Sequence, residues 1–234
     1  MELKGQVLAG RYELVSVVGS GGMGSVYEAI ELNMNRRVAV KVLHHGMEQN
    51  QRGVERFLRE MRISSKLEHP HTVRIYDFGE TEEHQLYLAM ELLSGESLGS
   101  LLRRDGRTGL DLLLSVGIQV SKALRAAHHA GIIHRDLKPD NLFLADEPGS
   151  NPPYRVKILD FGISKIQKAD RALTRDMAVM GTPGYMAPEQ AMGHTAQLGP
   201  EADQFALGTI AYEMLTGNVA FDGETLAEIV LRVV

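Results

Sequence analysis

The chain changes texture at Glu91, and that change constrains its fold more than any other feature of the sequence. From Arg11 to Glu91, short runs rich in Val, Ile and Tyr (Tyr12 to Val18, Ser25 to Glu31, Arg37 to Leu43, Val73 to Phe78, Gln85 to Glu91) alternate with Gly, Asn or charged punctuation. That pattern predicts antiparallel hairpins. One helix interrupts them between Gln51 and Leu67, where Val54, Phe57, Leu58 and Met61 recur at spacings of three and four before His69-Pro70 closes the segment. After Glu91 helices dominate. Leu113, Val116, Val120, Leu124 and Ala127 form one stripe, with Gly131 at the position where a helix commonly stops. A second helix, Ala202 to Thr216, carries Phe205, Leu207, Ile210, Ala211, Met214 and Leu215 with little polar face, which predicts a buried central helix. Between the two lies an irregular region, Ile132 to Pro188, whose Asp146 to Pro153 cluster reads as an exposed turn. Strands followed by helices make an α+β chain, and 234 residues fit one large domain or two joined lobes.

Composition removes several function classes. With 44% apolar residues, 24 Gly and 8 Pro, the chain has material for a sizeable core and is neither disordered, collagen-like nor a coiled coil. A net charge of -5 is too mildly acidic to predict nucleic-acid or membrane-surface binding, so an anionic ligand must be held by local geometry. Absence of cysteine excludes a disulfide framework, thiolate catalysis and a cysteine metal site. The start, MELKGQVLAG, lacks the apolar core of a signal peptide, and no stretch has the length of a membrane span, so a cytoplasmic domain is expected. His128 and His129, adjacent on a helix, point apart and argue against a histidine metal site. The 11 Met read as core filler.

Five motifs carry chemistry. Gly19, Gly21 and Gly24, in the run Gly19-Ser20-Gly21-Gly22-Met23-Gly24, allow backbone N–H groups to approach phosphate oxygens. Such glycines also occur in dinucleotide folds and plain hairpins, but a dinucleotide fold needs a helix directly after them, whereas Ser25 to Ile30 is β-rich. Here they link two strands. Lys41, in Val38-Ala39-Val40-Lys41, is either a solvated edge charge or a cation reaching under that glycine hairpin. Glu60 is its natural anionic partner, or a surface glutamate. The run His134-Arg135-Asp136-Leu137-Lys138-Pro139-Asp140-Asn141 places polar groups between apolar segments, too costly to explain as packing. Asp136 can take a proton or orient a hydroxyl, Asn141 offers an oxygen to a hard cation, and Lys138 supplies positive charge. Asp160-Phe161-Gly162 ends an apolar run with a carboxylate suited to Mg²⁺. Gly181 to Glu189 is a rigid, turn-rich segment able to bind an extended peptide.

In this order and spacing, from about Gly10 onward, the residues resemble the eukaryotic-like Ser/Thr protein kinases of bacteria, a family with a known motif set. The resemblance implies a bilobal fold, with a five-stranded antiparallel N-lobe over 11–91 carrying one helix and a mainly helical, partial C-lobe over 92–234. It implies transfer of the ATP γ-phosphoryl group to protein Ser/Thr hydroxyls with Mg²⁺, or Mn²⁺ in its place. Gly19, Ser20, Gly21, Gly22, Met23 and Gly24 would cover the phosphates. Val26 and Ala39 would cap the adenine, with Phe143 beneath it, Met90 as gatekeeper, and backbone groups of Glu91 and Leu93 on its edge. Lys41, held by Glu60, would bind the α- and β-phosphates. Asp136 would be the catalytic base, Lys138 the γ-phosphate contact, and Asn141 and Asp160 the metal ligands. Thr182 would help seat the acceptor. His134, Arg135, Phe161, Glu189 and Asp203 would be structural, Asp203 tying the catalytic loop to the core. Arg135 would await a phosphate in the activation segment, Ile163 to Met186, with Thr174 the first acceptor and Asp176 a fixed charge nearby. Self-association for trans-autophosphorylation is compatible with that scheme.

One departure stands at the end of the chain. Relatives continue past the segment resembling Leu226 to Val233 with helices that supply an Arg partner to the equivalent of Glu189, so the sequence reads as a C-terminally truncated domain, whose full-length form would include a membrane anchor in many relatives. Two competing readings are a nucleotide-binding scaffold without phosphotransfer and an aminoglycoside-kinase-like enzyme. Intact Lys41, Asp136 and Asp160 argue against the first, and the peptide-docking segment Gly181 to Glu189 against the second.

Overall fold

The computed structural model describes residues 5–21, 24–43, 51–161, 183–193 and 198–234. They fall into two compact units, Met1–Glu68 with Val73–Leu93, and His69–Thr72 with Ser94–Val234.

The first unit is an antiparallel sheet of β1 (Val7–Leu8), β2 (Tyr12–Gly21), β3 (Gly24–Glu31), β4 (Arg36–Leu43), β5 (Ile75–Glu80) and β6 (Leu86–Glu91), ordered β1-β2-β3-β4-β6-β5. The five expected runs are β2 to β6, and the count is corrected to six by β1. Sequence hid β1 because its turn has Ala9 at φ 49° beside Gly10 at φ 63°, with Arg11 N–H donating to Leu8 O at 3.0 Å. Hairpin turns with two positive φ angles normally announce themselves by Asn-Gly or Asp-Gly. One face buries Tyr12, Leu14, Tyr27, Ala29, Val38, Val40, Val42 and Ala89 together. Helix α1 (Gln51–Ser64), shorter than predicted by one turn, buries Val54, Phe57 and Met61 and lies against β5. The fully buried Glu31 carboxylate is held between Arg11 and Arg36.

The glycine hairpin is built by β2 and β3, with Gly19 opposite Val26, Ser20 opposite Ser25 and Gly21 opposite Gly24. Gly24 has φ 154°, and a Cβ there would lie 2.2 Å from Val42 O. A Gly24→Ala protein is therefore expected to lose about 1–3 kcal/mol through displacement of β3 from β4, read as a lower urea midpoint.

The second unit has a three-stranded antiparallel sheet, β7 (Gly95–Ser97), β8 (Leu142–Asp146) and β9 (Tyr154–Ile158), and helices α2 (Leu98–Asp105), α3 (Leu110–His129), α4 (Pro188–Ala191), α5 (Glu201–Thr216) and α6 (Leu226–Val233). The predicted turn cluster at 146–153 joins β8 to β9. Helix α3 stops as expected: Gly131 at φ 73° donates to His128 O at 3.0 Å and Ile132 N–H to Ala127 O at 2.9 Å, the paired bonds of a Schellman motif. The segment His69–Thr72 joins this unit because it extends the β8–β9 sheet. Ile158 N–H donates to His71 O at 2.9 Å, and the His71 Nδ1–H donates to Val156 O at 3.1 Å.

Helix α5 corrects one expectation. It buries Ala202, Asp203, Ala206, Thr209, Ile210 and Met214, but Tyr212 and Leu215 are 49% and 47% exposed, so it is half-buried. Beside it α3 exposes Leu114 and Ile118, and the two helices line an open apolar groove that no described residue covers. Among the described residues no helix is long and apolar enough to cross a membrane.

Candidate active site

In the first unit, Gly19 and Gly21 have ordinary φ angles, and among the described residues nothing stands where a Cβ would lie at either position. A ligand approaching the backbone closely is the physical reason to keep such positions bare. Ser20 Oγ lies 3.3 Å from Ser25 Oγ across the hairpin, while Gly22 and Met23 lie outside the described residues. Lys41 is 6% exposed in β4, between β3 and β6, with Val26 and Leu88 as its register partners. This removes the edge-charge reading. A lysine buried in a central strand beside Val40 and Val42 is rare unless its charge is paired. Glu60 is half-buried on α1. Buried Ala39 pairs with Met90, and the Glu91 backbone N–H donates to Arg74 O at 2.9 Å while its carboxylate accepts from Arg74 N–H at 2.7 Å. Leu93 is half-buried beyond the strand.

In the second unit, the polar run predicted from sequence forms a braced loop between α3 and a 3-10 turn at Pro139–Asn141. Its main brace is Asp203 at the head of α5. The carboxylate, 1% exposed, accepts from His134 N–H and Arg135 N–H, both at 2.9 Å, and from His128 Nε2–H at 2.7 Å. Burial alone would raise the Asp203 carboxyl, but the His128 hydrogen bond, the His134 ring and the two backbone donors outweigh it and hold it below the ordinary aspartate range. Arg135 sits at φ 67°, a conformation that residues with side chains adopt only when their surroundings over-determine it.

His134, fully buried, uses both ring nitrogens. Asp136 N–H donates to Nδ1 at 3.3 Å and Nε2–H donates to Leu159 O at 2.8 Å, while the ring packs edge-on to Phe161 at 4.8 Å. One imidazole thus joins the residue bearing the candidate base to the strand end bearing Asp160. Lys138 Nζ is 3.4 Å from Asp136 Oδ2. Asn141 donates its amide to Asp136 O at 2.7 Å, leaving Oδ1 as the side-chain atom suited to a cation. Leu159 N–H donates to Asn141 O at 2.9 Å, so the backbones carrying Asn141 and Asp160 are tied together one residue before the carboxylate. An amide oxygen and a carboxylate so placed are the donor set Mg²⁺ accepts. Among the described residues no cluster of three or more His, Cys, Asp or Glu side chains could hold a metal ion. Phe143 is half-buried on β8.

The half-buried Glu189 makes no ion pair among the described residues, and the Arg135 guanidinium makes none either. Gly162, Thr174, Asp176 and Thr182 lie outside the described residues. Sequence reasoning missed His128 and Gln190 as parts of the site. His128 had a signal, since it falls four residues after Leu124 on the buried stripe, where a histidine needs a partner. Gln190, three residues after the helix-starting Ala187, fits the Gln position of a capping box.

The protein kinase domain family model matches residues 12–233. The serine/threonine-protein kinase pkn3 of Myxococcus xanthus is 41% identical over 96% of this chain and 41% of its own length. The serine/threonine-protein kinase PknA of Mycobacterium tuberculosis is 40% identical over 97% of this chain and 52% of its own. The chain thus spans about half the length of these curated relatives. Among solved structures, a mutant form of the Mycobacterium tuberculosis PknI kinase domain superposes with a TM-score of 0.75 at 29% identity, over 95% of this chain and 81% of that one.

Proposed function

The chain belongs to the protein kinase domain family, and from that membership we propose that it transfers the γ-phosphoryl group of ATP to Ser and Thr hydroxyls of proteins. The observation that carries this reading is the braced loop, in which Asn141 donates to Asp136 O, Lys138 pairs with the Asp136 carboxylate, and the preceding His134 and Arg135 N–H groups donate to Asp203. Phosphoryl transfer asks a protein mainly for positioning and charge stabilisation, and such a loop supplies both. Asp136 orients the acceptor hydroxyl and takes its proton. Lys138, beside that carboxylate, holds the transferring group by charge. Lys41, kept in position by Glu60, binds the α- and β-phosphates, and the bare glycines of the β2–β3 hairpin let backbone N–H groups reach the same oxygens. Val26 and Ala39 would cap the adenine, with Met90, Glu91 and Leu93 along its edge. Asn141 and Asp160 would hold Mg²⁺, which when bound neutralises phosphate charge. Protein rather than small-molecule acceptors are favoured by the turn-rich segment ending in Glu189.

The domain works in the cytoplasm, and Thr174 is the first acceptor within the chain. The Arg135 guanidinium, without an ion pair among the described residues, is the group a phosphate there would meet. The purified chain, incubated with Mg-ATP, is expected to carry phosphate on Thr174 by mass spectrometry, at a rate rising with protein concentration if one copy modifies another. Nucleotide binding with no phosphate on any Ser or Thr would establish the scaffold reading instead.

A further inference from the structure

Arg135 is strained, and the peptide that follows it leads directly into Asp136, so whatever orients that peptide sets the direction of the candidate base. Its N–H end is held by His134 Nδ1 at 3.3 Å. Its C=O end is held from elsewhere. Gln190, on α4, is 8% exposed and uses both ends of its amide: Nε2 donates to Arg135 O at 2.8 Å, and Oε1 accepts from Ala187 N–H at 3.1 Å. Ala187 is itself buried and closely follows the turn at Pro183–Tyr185, in the segment read as the peptide dock.

We propose that Gln190 is a positioning residue that couples the substrate-docking segment to the catalytic loop, fixing the Arg135–Asp136 peptide so that the Asp136 carboxylate faces the acceptor hydroxyl. The inference rests on the kinase reading of Asp136. Arg135 has its N–H fixed by Asp203 on α5 and its C=O fixed by Gln190 on α4. Two helices thus over-determine one left-handed residue, the condition under which such a conformation persists. Losing the α4 half leaves the loop attached to the core through Asp203 but leaves the peptide held only by the longer bond to His134 Nδ1 at 3.3 Å, which loosens its orientation. Because the same amide caps the start of α4, a shift of the docking segment is felt at the carbonyl before Asp136 without passing through the acceptor.

Two variants separate this role from simple capping of α4. Gln190→Glu keeps the acceptor for Ala187 N–H but removes the donor to Arg135 O and sets a carboxylate against a carbonyl. Gln190→Met removes both bonds at similar volume. With casein and Mg-ATP, kcat is expected to fall about tenfold or more in both variants, with KM for ATP within about twofold of wild type. Backbone amide exchange over residues 132–138 should rise in both, with residues 98–105 on α2 unchanged. A Gln190→Glu protein with wild-type kcat and wild-type exchange would reduce Gln190 to a helix cap and overturn the proposal. Asp136→Asn runs beside them as the test of the underlying reading. If the wild type transfers phosphate, Asp136→Asn does not, and both Gln190 variants match wild type, the coupling fails while the kinase reading stands. If Asp136→Asn keeps full activity, the kinase role of Asp136 falls and the coupling with it. Amide exchange reads the hold on the loop directly and needs no turnover.

Discussion

Asp136→Asn is expected to lower kcat by about 10²–10⁴-fold, the span by which positioned acid–base groups contribute, while KM for ATP stays within about twofold of wild type. The substitution preserves shape. It keeps an oxygen facing Lys138 Nζ, which lies 3.4 Å from Oδ2, and leaves untouched the Asp136 carbonyl that receives Asn141 Nδ2. What it removes is the negative charge that we propose accepts the hydroxyl proton, and the balance to Lys138. A steady-state assay with a protein acceptor, with nucleotide binding measured by calorimetry, separates the two effects. Loss of binding together with turnover would place Asp136 in nucleotide recognition. An unaffected kcat would remove it from the reaction.

Asp203→Ala should be the most damaging single change to stability in the second unit. The carboxylate accepts two backbone donors and His128 while nearly wholly buried. Each abandoned buried donor costs about 1–3 kcal/mol, and three donors lose their acceptor together, so the sum reaches the range of about 3–5 kcal/mol typical when a buried partner is removed. A loss in that upper range is expected in urea denaturation followed by circular dichroism, together with loss of phosphotransfer as Arg135 relaxes. The pH dependence follows from the depressed folded value of this carboxyl. A group bound more tightly as its anion in the folded state contributes stability above its unfolded value, and that contribution is lost as pH falls below about 4. Wild type should therefore show an acid limb that is flatter in Asp203→Ala. Parallel acid limbs would assign the acid sensitivity to other carboxylates.

Strands β2 to β6, helices α1, α3 and α5, and the order of the polar motifs were legible because each rests on local periodicity or on residue types that have no reason to be buried except chemistry. The rest depends on contacts distant in sequence. Strand β1 escaped because Ala9 takes a conformation its side chain does not advertise. The half-exposed face of α5 escaped because an apolar sequence says that cover is wanted, not which residues provide it. His128 and Gln190 escaped for a similar reason. Each is an ordinary polar residue on a helix until folding sets it against Asp203 or the Arg135 carbonyl, 75 and 55 residues away. The resemblance supplied roles for Lys41, Asp136, Asn141 and Asp160. The structure adds the braces that hold the latter three, and leaves Thr174 and Thr182 outside the described residues.

The four residues His69–Thr72 belong to the second unit although the first continues after them. The polypeptide therefore passes between units at three points, after Glu68, Thr72 and Leu93, and no single cut yields either unit whole. A fragment starting at Ser94 would leave the Ile158 N–H and the Val156 carbonyl facing solvent along an open strand edge, the kind of edge on which other chains pair. Proteolysis between residues 72 and 94 would not release a clean domain, since the product would keep its edge strand on the wrong piece. For this chain, no continuous fragment holds either unit whole without part of the other.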